Sequence, residues 1–140
     1  MSCATPSVAQ FILIIVKNDT IALMKTMKTK SLEETEKVAR DFVENLLSRI
    51  SNGVTKSRVT KSGAFVVALY GDLGSGKTTF VKNVAQILDI KETVTSPTFV
   101  IEKIYSLENQ TFNKFIHIDA YRLENEQELL TLNWDEIVSD

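Results

Sequence analysis

Apolar residues in the first third of this chain recur at the spacing of one helix face. The apolar residues on that face are Val38, Ala39, Phe42, Val43, Leu46, Leu47 and Ile50. Ser31 and Glu34 form a capping box at its start, with Ser31 as the N-cap. The Asn52-Gly53 pair supplies a stop signal. Together these features predict an amphipathic helix over residues 31–51.

The middle of the chain changes from strand to helix spacing. Residues 64–70 are an almost continuous apolar run, which is typical of a buried strand in a parallel sheet. From Phe80 to Leu88 the apolar residues return at helical spacing. The pattern predicts a strand, a short polar loop and a helix in direct succession.

The last third predicts a hairpin followed by short helices. Residues 99–105 and 111–118 have strand character and are separated by a polar turn, which indicates an antiparallel pair. Pro97 predicts a bend before the first of these strands. Residues 125–130 look helical, and a final short helix carries Trp134, whose predicted role is to anchor that helix.

Residues 1–30 are predicted to be an N-terminal extension of the domain over 31–140. The apolar run over residues 8–16 is too short to span a bilayer, and no Lys or Arg precedes it as a secretory signal requires. Two alternatives remain: an extra strand, or translated sequence upstream of the native start. Because the pattern breaks between Asn18 and Lys30, Met27 is the preferred alternative start.

Composition and charge narrow the class of protein. The chain has 140 residues, of which 44% are hydrophobic, and this suits one globular domain. A net charge of −2 gives no electrostatic basis for tight binding to nucleic acid. Cys3 is the single cysteine, so no internal disulfide is possible. These features predict a protein of a reducing cytoplasm, without a membrane segment.

Residues 71–79 satisfy the phosphate-binding motif G-x-x-x-x-G-K-[ST]. They are Gly71, Asp72, Leu73, Gly74, Ser75, Gly76, Lys77, Thr78 and Thr79. The predicted flanking strand and helix are the context that this motif needs, which argues against a coincidental glycine-rich turn. We therefore predict an α/β fold: a P-loop NTPase-like three-layer sandwich with a mixed, largely parallel sheet and an antiparallel hairpin.

The chemistry of this loop follows from its residue types. Glycines let the backbone approach phosphate oxygens, and main-chain N–H groups at the helix N-terminus bind anions. Lys77 is expected to reach the β- and γ-phosphates, and the Thr78 hydroxyl is expected to ligate Mg²⁺.

A second candidate site lies at the end of the last predicted strand. Strand alternation places Phe115, His117 and Asp119 on one face. A carboxylate there suggests a group near Mg²⁺ or the attacking water. Asp119 as a turn residue and His117 as a structural imidazole remain open alternatives. Arg122 is more typical of a surface residue, although it could bridge Asp119 or a phosphate.

Hydroxyl groups surround the predicted bend after the phosphate-loop helix. Thr95, Ser96, Pro97 and Thr98 resemble a nucleotide-sensing switch. An ordinary polar loop is an equally good interpretation of the same residues.

Three segments in this order and spacing resemble the TsaE family, the small ATPases of bacterial tRNA threonylcarbamoyladenosine synthesis. The segments are residues 71–79, residues 96–99 and residues 117–122. The resemblance implies slow ATP hydrolysis with Mg²⁺ and association with TsaD and TsaB proteins, which modify adenosine 37 of tRNA; tRNA itself would be contacted only through that complex. It also implies that Lys77 contacts phosphate, Thr78 contacts Mg²⁺, Thr95 to Thr98 form the switch and Asp119 is the acidic active-site residue.

The sequence departs from the family pattern after the last short helix. The family continues into an apolar strand ending in Glu-Trp, whose Glu helps to hold Mg²⁺. This sequence reaches Asp140 before such a strand, and Trp134 does not match the family's tryptophan. The resemblance therefore implies a C-terminally truncated member, in which hydrolysis would suffer more than phosphate binding.

Two other functions are compatible with the same loop. A non-hydrolysing switch that binds ATP and stabilises a partner complex would differ from an ATPase only in phosphate release. A small-molecule kinase would need an arginine-rich lid, and Arg122 is the only arginine after Leu88. The ATPase is the preferred interpretation.

Overall fold

A computed structural model describes residues 9–17, 20–51, 64–95, 102–108, 112–120, 123, 125, 127, 128, 131 and 137. Its helices and longer strands follow one another as β1 (Ala9–Lys17), β2 (Thr20–Thr29), α1 (Leu32–Ser51), β3 (Val66–Tyr70), α2 (Lys77–Ile87), β4 (Glu102–Ser106) and β5 (Lys114–Ile118). The α/β content predicted from the sequence is confirmed. Asn52-Gly53 and Trp134 lie outside the described residues.

Helix α1 begins with the predicted N-cap, Ser31. The Glu34 N–H donates to Oγ of Ser31 at 3.2 Å, and the Lys30 N–H donates to Oε2 of Glu34 at 2.6 Å. The Glu34 N–H, which has no acceptor within the helix, is thereby satisfied, whereas the Glu34 carboxylate accepts from Lys30, one residue before the N-cap Ser31 that a capping box would use. Thr29 and Thr35 share a buried hydrogen bond of 2.6 Å between their hydroxyls. This bond ties the end of β2 to the first turn of α1.

The N-terminal residues form two strands of a three-stranded sheet with the order β2-β1-β3. β1 lies antiparallel to β2 from the Ala9–Thr29 pair to the Lys17–Thr20 pair, with a register shift after Ile15. This arrangement fits the extra-strand alternative for residues 1–30, and the position of the native start stays a prediction. Residues 20–29, where the apolar pattern is broken, form β2, with Met27 and Thr29 buried on alternate positions.

Strand β3 leads into the phosphate-binding motif and pairs with β1. This pairing is antiparallel, from Ile12 opposite Tyr70 to Val16 opposite Val66. Every strand pair within the described part of the chain is antiparallel. The three-layer sandwich and the largely parallel sheet therefore stay predictions.

The hairpin predicted in the last third is present as β4 and β5. The two strands pair antiparallel from Glu102 opposite Ile118 to Ser106 opposite Lys114. Within the described residues β4 covers the predicted positions 102–105 and continues to Ser106, and β5 begins at Lys114 because residues 112 and 113 are not in a strand. Residues 99–101 and 109–111 lie outside the described segments. Of the predicted later helices, residues 127, 128 and 137 are helical.

The core lies where α1 and α2 pack against each other and against the strands. Its buried residues are Met27, Ala39, Val43, Phe80, Val84, Leu88 and Leu107. The rings of Phe42 and Phe80 have centroids 5.7 Å apart and are tilted by 56°, a favourable aromatic arrangement. Val67, Leu69 and Phe115 pack against the same cluster. The helix that follows the phosphate-binding motif is therefore held from several sides.

No helix in the part of the chain that the structure describes is both long enough and apolar enough to cross a bilayer.

Candidate phosphate-binding site

The motif over residues 71–79 forms a tight loop between β3 and α2. Gly74 has φ +77° and Gly76 has φ +86°, both in the left-handed region that costs other residues free energy. Gly76 is the N-cap of α2, which begins at Lys77. No atom lies within 4 Å of the place where a Cβ would stand on Gly74. At that position backbone conformation, rather than space, is what favours glycine.

The start of α2 has neither of the features that compensate a helix N-terminus. Gly76 makes no side-chain cap hydrogen bond, and no acidic residue lies in the first turn. Helix α1 in the same chain has both: Ser31 caps the Glu34 N–H, and Glu33 and Glu34 lie in its first turn. The positive end of α2 also carries Lys77, which the helix dipole disfavours. Such an end is complementary to an anion such as a phosphate group.

The Lys77 side chain folds back over the loop. Its ammonium nitrogen lies 2.6 Å from the Gly71 carbonyl oxygen, 2.8 Å from that of Asp72 and 3.2 Å from Oγ of Ser75. An ammonium group has three N–H donors, so these oxygens can accept all of them. Ser75 is 9% exposed, and its N–H donates to the Asp72 carbonyl at 3.1 Å. The loop thus holds a positive charge beside the uncapped helix end.

Thr78 and Thr79 occupy the first turn of α2, where Thr78 is exposed and Thr79 half-buried. No group of three or more His, Cys, Asp or Glu residues within the described segments is arranged to hold a metal ion. Mg²⁺ in nucleotide enzymes takes most of its ligands from substrate phosphates and water. A hydroxyl at this position fits that kind of site, in which the protein supplies few ligands.

His117 is the fourth residue of β5, and Asp119 directly follows the last residue of that strand, so the shared face of the two side chains stays a prediction. Nδ1 of His117 is buried and makes no hydrogen bond to any described residue. Burial lowers the pKa of His117, while the Asp119 carboxylate raises it and Lys103 lowers it. Burial has the largest effect of the three. It lowers the pKa because it penalises the charged imidazolium. Neutral imidazole is therefore favoured in the folded protein.

The lowered pKa of His117 predicts that the folded state loses stability in mild acid. Above the ordinary value of 6.5 both states hold neutral imidazole. As the pH falls from 6.5 through the lower folded pKa, the unfolded state takes up the proton first, so the free energy of unfolding decreases. We expect the decrease between pH 7 and pH 5 to be smaller in His117→Gln, as measured by urea unfolding.

His117 is the only histidine of the chain, so the difference between wild type and His117→Gln isolates its titration from that of the carboxylates. Parallel pH profiles for the two proteins would contradict the lowered pKa.

The predicted switch segment is described only at Thr95. Ser96, Pro97, Thr98 and Arg122 lie outside the described residues. Thr95 is exposed, and its Oγ1 accepts a hydrogen bond from the Lys103 ammonium group. Lys103 was not among the residues singled out by sequence. The hairpin register could have found it, because β4 and β5 pair Lys103 with His117.

The strand, glycine loop and helix define an α/β protein with a phosphate-loop type of strand–loop–helix unit. The sequence model of the family "Threonylcarbamoyl adenosine biosynthesis protein TsaE" matches residues 29–140. The chain belongs to the TsaE family.

Individual relatives agree with this assignment. The chain is 32% identical over 123 residues to the tRNA threonylcarbamoyladenosine biosynthesis protein TsaE of Aquifex aeolicus, a match that covers 81% of this chain and 79% of that protein. The proteins of the same name in Bacillus subtilis and in Nostoc sp. are 48% identical over 68 residues and 36% identical over 98 residues. Those two matches cover 49% and 70% of this chain, and 41% and 57% of the relatives.

The chain thus spans less than two thirds of the Bacillus subtilis and Nostoc proteins. No solved structure gives a significant match.

Proposed function

We propose that this protein is an ATPase of tRNA threonylcarbamoyladenosine biosynthesis that binds ATP and Mg²⁺ through residues 71–79. Membership of the TsaE family and the names of its relatives support the pathway. One observation supports nucleotide binding more than any other: α2 begins without a capping side chain or an acidic first turn, and with Lys77 beside it. A triphosphate supplies the negative charge that this helix end lacks.

Different groups of the loop would bind different parts of the triphosphate and its metal ion. Main-chain N–H groups at the start of α2 would donate to phosphate oxygens, and the Lys77 ammonium group would exchange a loop oxygen for one on the β- or γ-phosphate. The Thr78 hydroxyl would help to hold Mg²⁺. When bound, Mg²⁺ supplies positive charge that offsets the charge of the phosphate oxygens.

Asp119, which directly follows β5, would orient the attacking water and accept its proton. His117, neutral and partly buried, would limit how far that carboxylate can turn. Thr95 begins the segment that would respond to the γ-phosphate. Partners would be proteins of the TsaD and TsaB type in the cytoplasm, and the ATPase cycle would reset their complex between turnovers.

Isothermal titration calorimetry with Mg-ATP tests the binding step. We expect saturable heat for ATP, and none for adenosine, because the proposed contacts are made to phosphate. Phosphate release would then be measured with and without TsaD and TsaB proteins. Binding without any phosphate release in either mixture would favour the non-hydrolysing switch, and a lack of heat from every nucleoside triphosphate would refute the proposal.

A further inference from the structure

Two side chains on one face of β4, Lys103 and Tyr105, contact the segment that follows α2. The Lys103 ammonium group donates to Oγ1 of Thr95. The preceding residue, Val94, is 6% exposed and belongs to the same buried cluster as Tyr105. Lys103 and Tyr105 are two positions apart on the strand, so their side chains share one face. One polar and one apolar contact therefore attach neighbouring residues of the segment to β4.

On β5 the residues opposite Lys103 and Tyr105 lie shortly before Asp119 in the sequence. Lys103 pairs with His117, and Tyr105 pairs with Phe115. Paired residues of antiparallel strands have side chains on the same face, with Cβ atoms about 5 Å apart. The rings of Tyr105 and Phe115 follow this rule, with centroids 6.1 Å apart. Lys103 therefore contacts Thr95 on one side and lies opposite His117 of β5 on the other. His117 is two residues before Asp119.

We propose that Lys103 is a positioning residue for ATP hydrolysis, which holds Thr95 at a fixed place relative to the end of β5 that carries Asp119. This inference rests on the ATPase function proposed above. Lysine suits the role because its long stem reaches across the segment and its ammonium group donates without needing a planar partner. Loss of the bond would leave Val94 anchored by packing but would release the Thr95 hydroxyl.

Hydrogen exchange without nucleotide tests the attachment directly. In Lys103→Met we expect the peptide containing Val94 and Thr95 to exchange about two- to threefold faster, the loss expected at the weak end for an exposed side-chain hydrogen bond. Thr95→Val removes the same bond from the other side and should give the same acceleration, and the double variant should add nothing further. Lys103→Arg should restore slow exchange. Lys82→Met, which removes an exposed lysine of α2, is the matched control and should resemble wild type.

Unchanged exchange of that peptide in both Lys103→Met and Thr95→Val would overturn the attachment. Equal acceleration in α1 peptides would also overturn it, because that pattern indicates general destabilisation rather than local release.

Kinetics test the positioning role. With TsaD and TsaB proteins present, Lys103→Met should lower the turnover number about tenfold while the Kd for Mg-ATP stays near wild type, and Lys103→Arg should recover most of the turnover. Turnover equal to wild type, or an equal loss in binding, would refute the role in hydrolysis. If wild type bound no ATP, the proposed function and the positioning role of Lys103 in hydrolysis would both fall, whereas the exchange data would still decide whether Lys103 holds Thr95.

Discussion

Lys77→Ala is expected to abolish measurable ATP binding. The substitution removes the ammonium group that the loop holds against the carbonyl oxygens of Gly71 and Asp72, at the end of α2 where the phosphates are proposed to lie. A charge-assisted contact of this kind, lost from a site that binds a highly charged ligand, should weaken Kd at least about 100-fold, which corresponds to ~2.7 kcal/mol. Calorimetry with Mg-ATP on both proteins measures the difference.

The control for this experiment is Lys82→Ala. Lys82 is an exposed lysine of the same helix, outside the loop, so the two variants lose the same charge and differ only in place. The far-ultraviolet circular dichroism of both variants should match wild type, because neither side chain belongs to the buried core. An ATP affinity of Lys77→Ala equal to that of Lys82→Ala would refute the role of the loop lysine.

Asp119→Asn is expected to leave ATP binding nearly unchanged and to lower turnover by about 100-fold, the lower end of what general base catalysis contributes. The amide keeps the size of the side chain at the end of β5 but cannot accept a proton from water. Since Lys77 and the start of α2 would still hold the phosphates, Kd should change little. Calorimetry and phosphate release on the same preparation, with TsaD and TsaB proteins present, separate the two steps.

Asp41→Asn provides the matched control, because Asp41 is an exposed carboxylate on α1. Its turnover should equal that of wild type. Normal turnover in Asp119→Asn would remove Asp119 from the chemistry and leave the alternative that it is a turn residue. A parallel loss of binding and turnover would instead show that Asp119 contributes to holding the nucleotide.

Local signals in the sequence predicted α1 well. Its apolar face, its Ser31 cap and its start near Ser31 all appear in the structure. Each of these features depends on residues within four positions of one another, so no distant part of the chain is needed to produce them. The sequence also predicted the loop over residues 71–79. Its two left-handed glycines and the lysine that folds over them are neighbours in sequence.

The N-terminal strands were harder to predict than α1. The apolar residues of β1 are compatible with an extra strand. No local feature of the sequence predicts that β3 is its neighbour. The apolar run of β3 favoured a parallel arrangement, and the observed pairing with β1 is antiparallel. An apolar strand indicates burial on both faces without specifying the direction of its neighbours, because direction depends on how the connections are routed.

The sequence alone was sufficient for a glycine-rich loop between a strand and a helix, a helix capped by Ser31 and a hairpin, because each is built from short-range geometry. Only the tertiary structure decided that Lys103 bonds to Thr95 and lies opposite His117. Those contacts join segments that are separated in the chain. Their formation depends on strand register and on the packing of Val94 against Tyr105, which are properties of the folded chain as a whole.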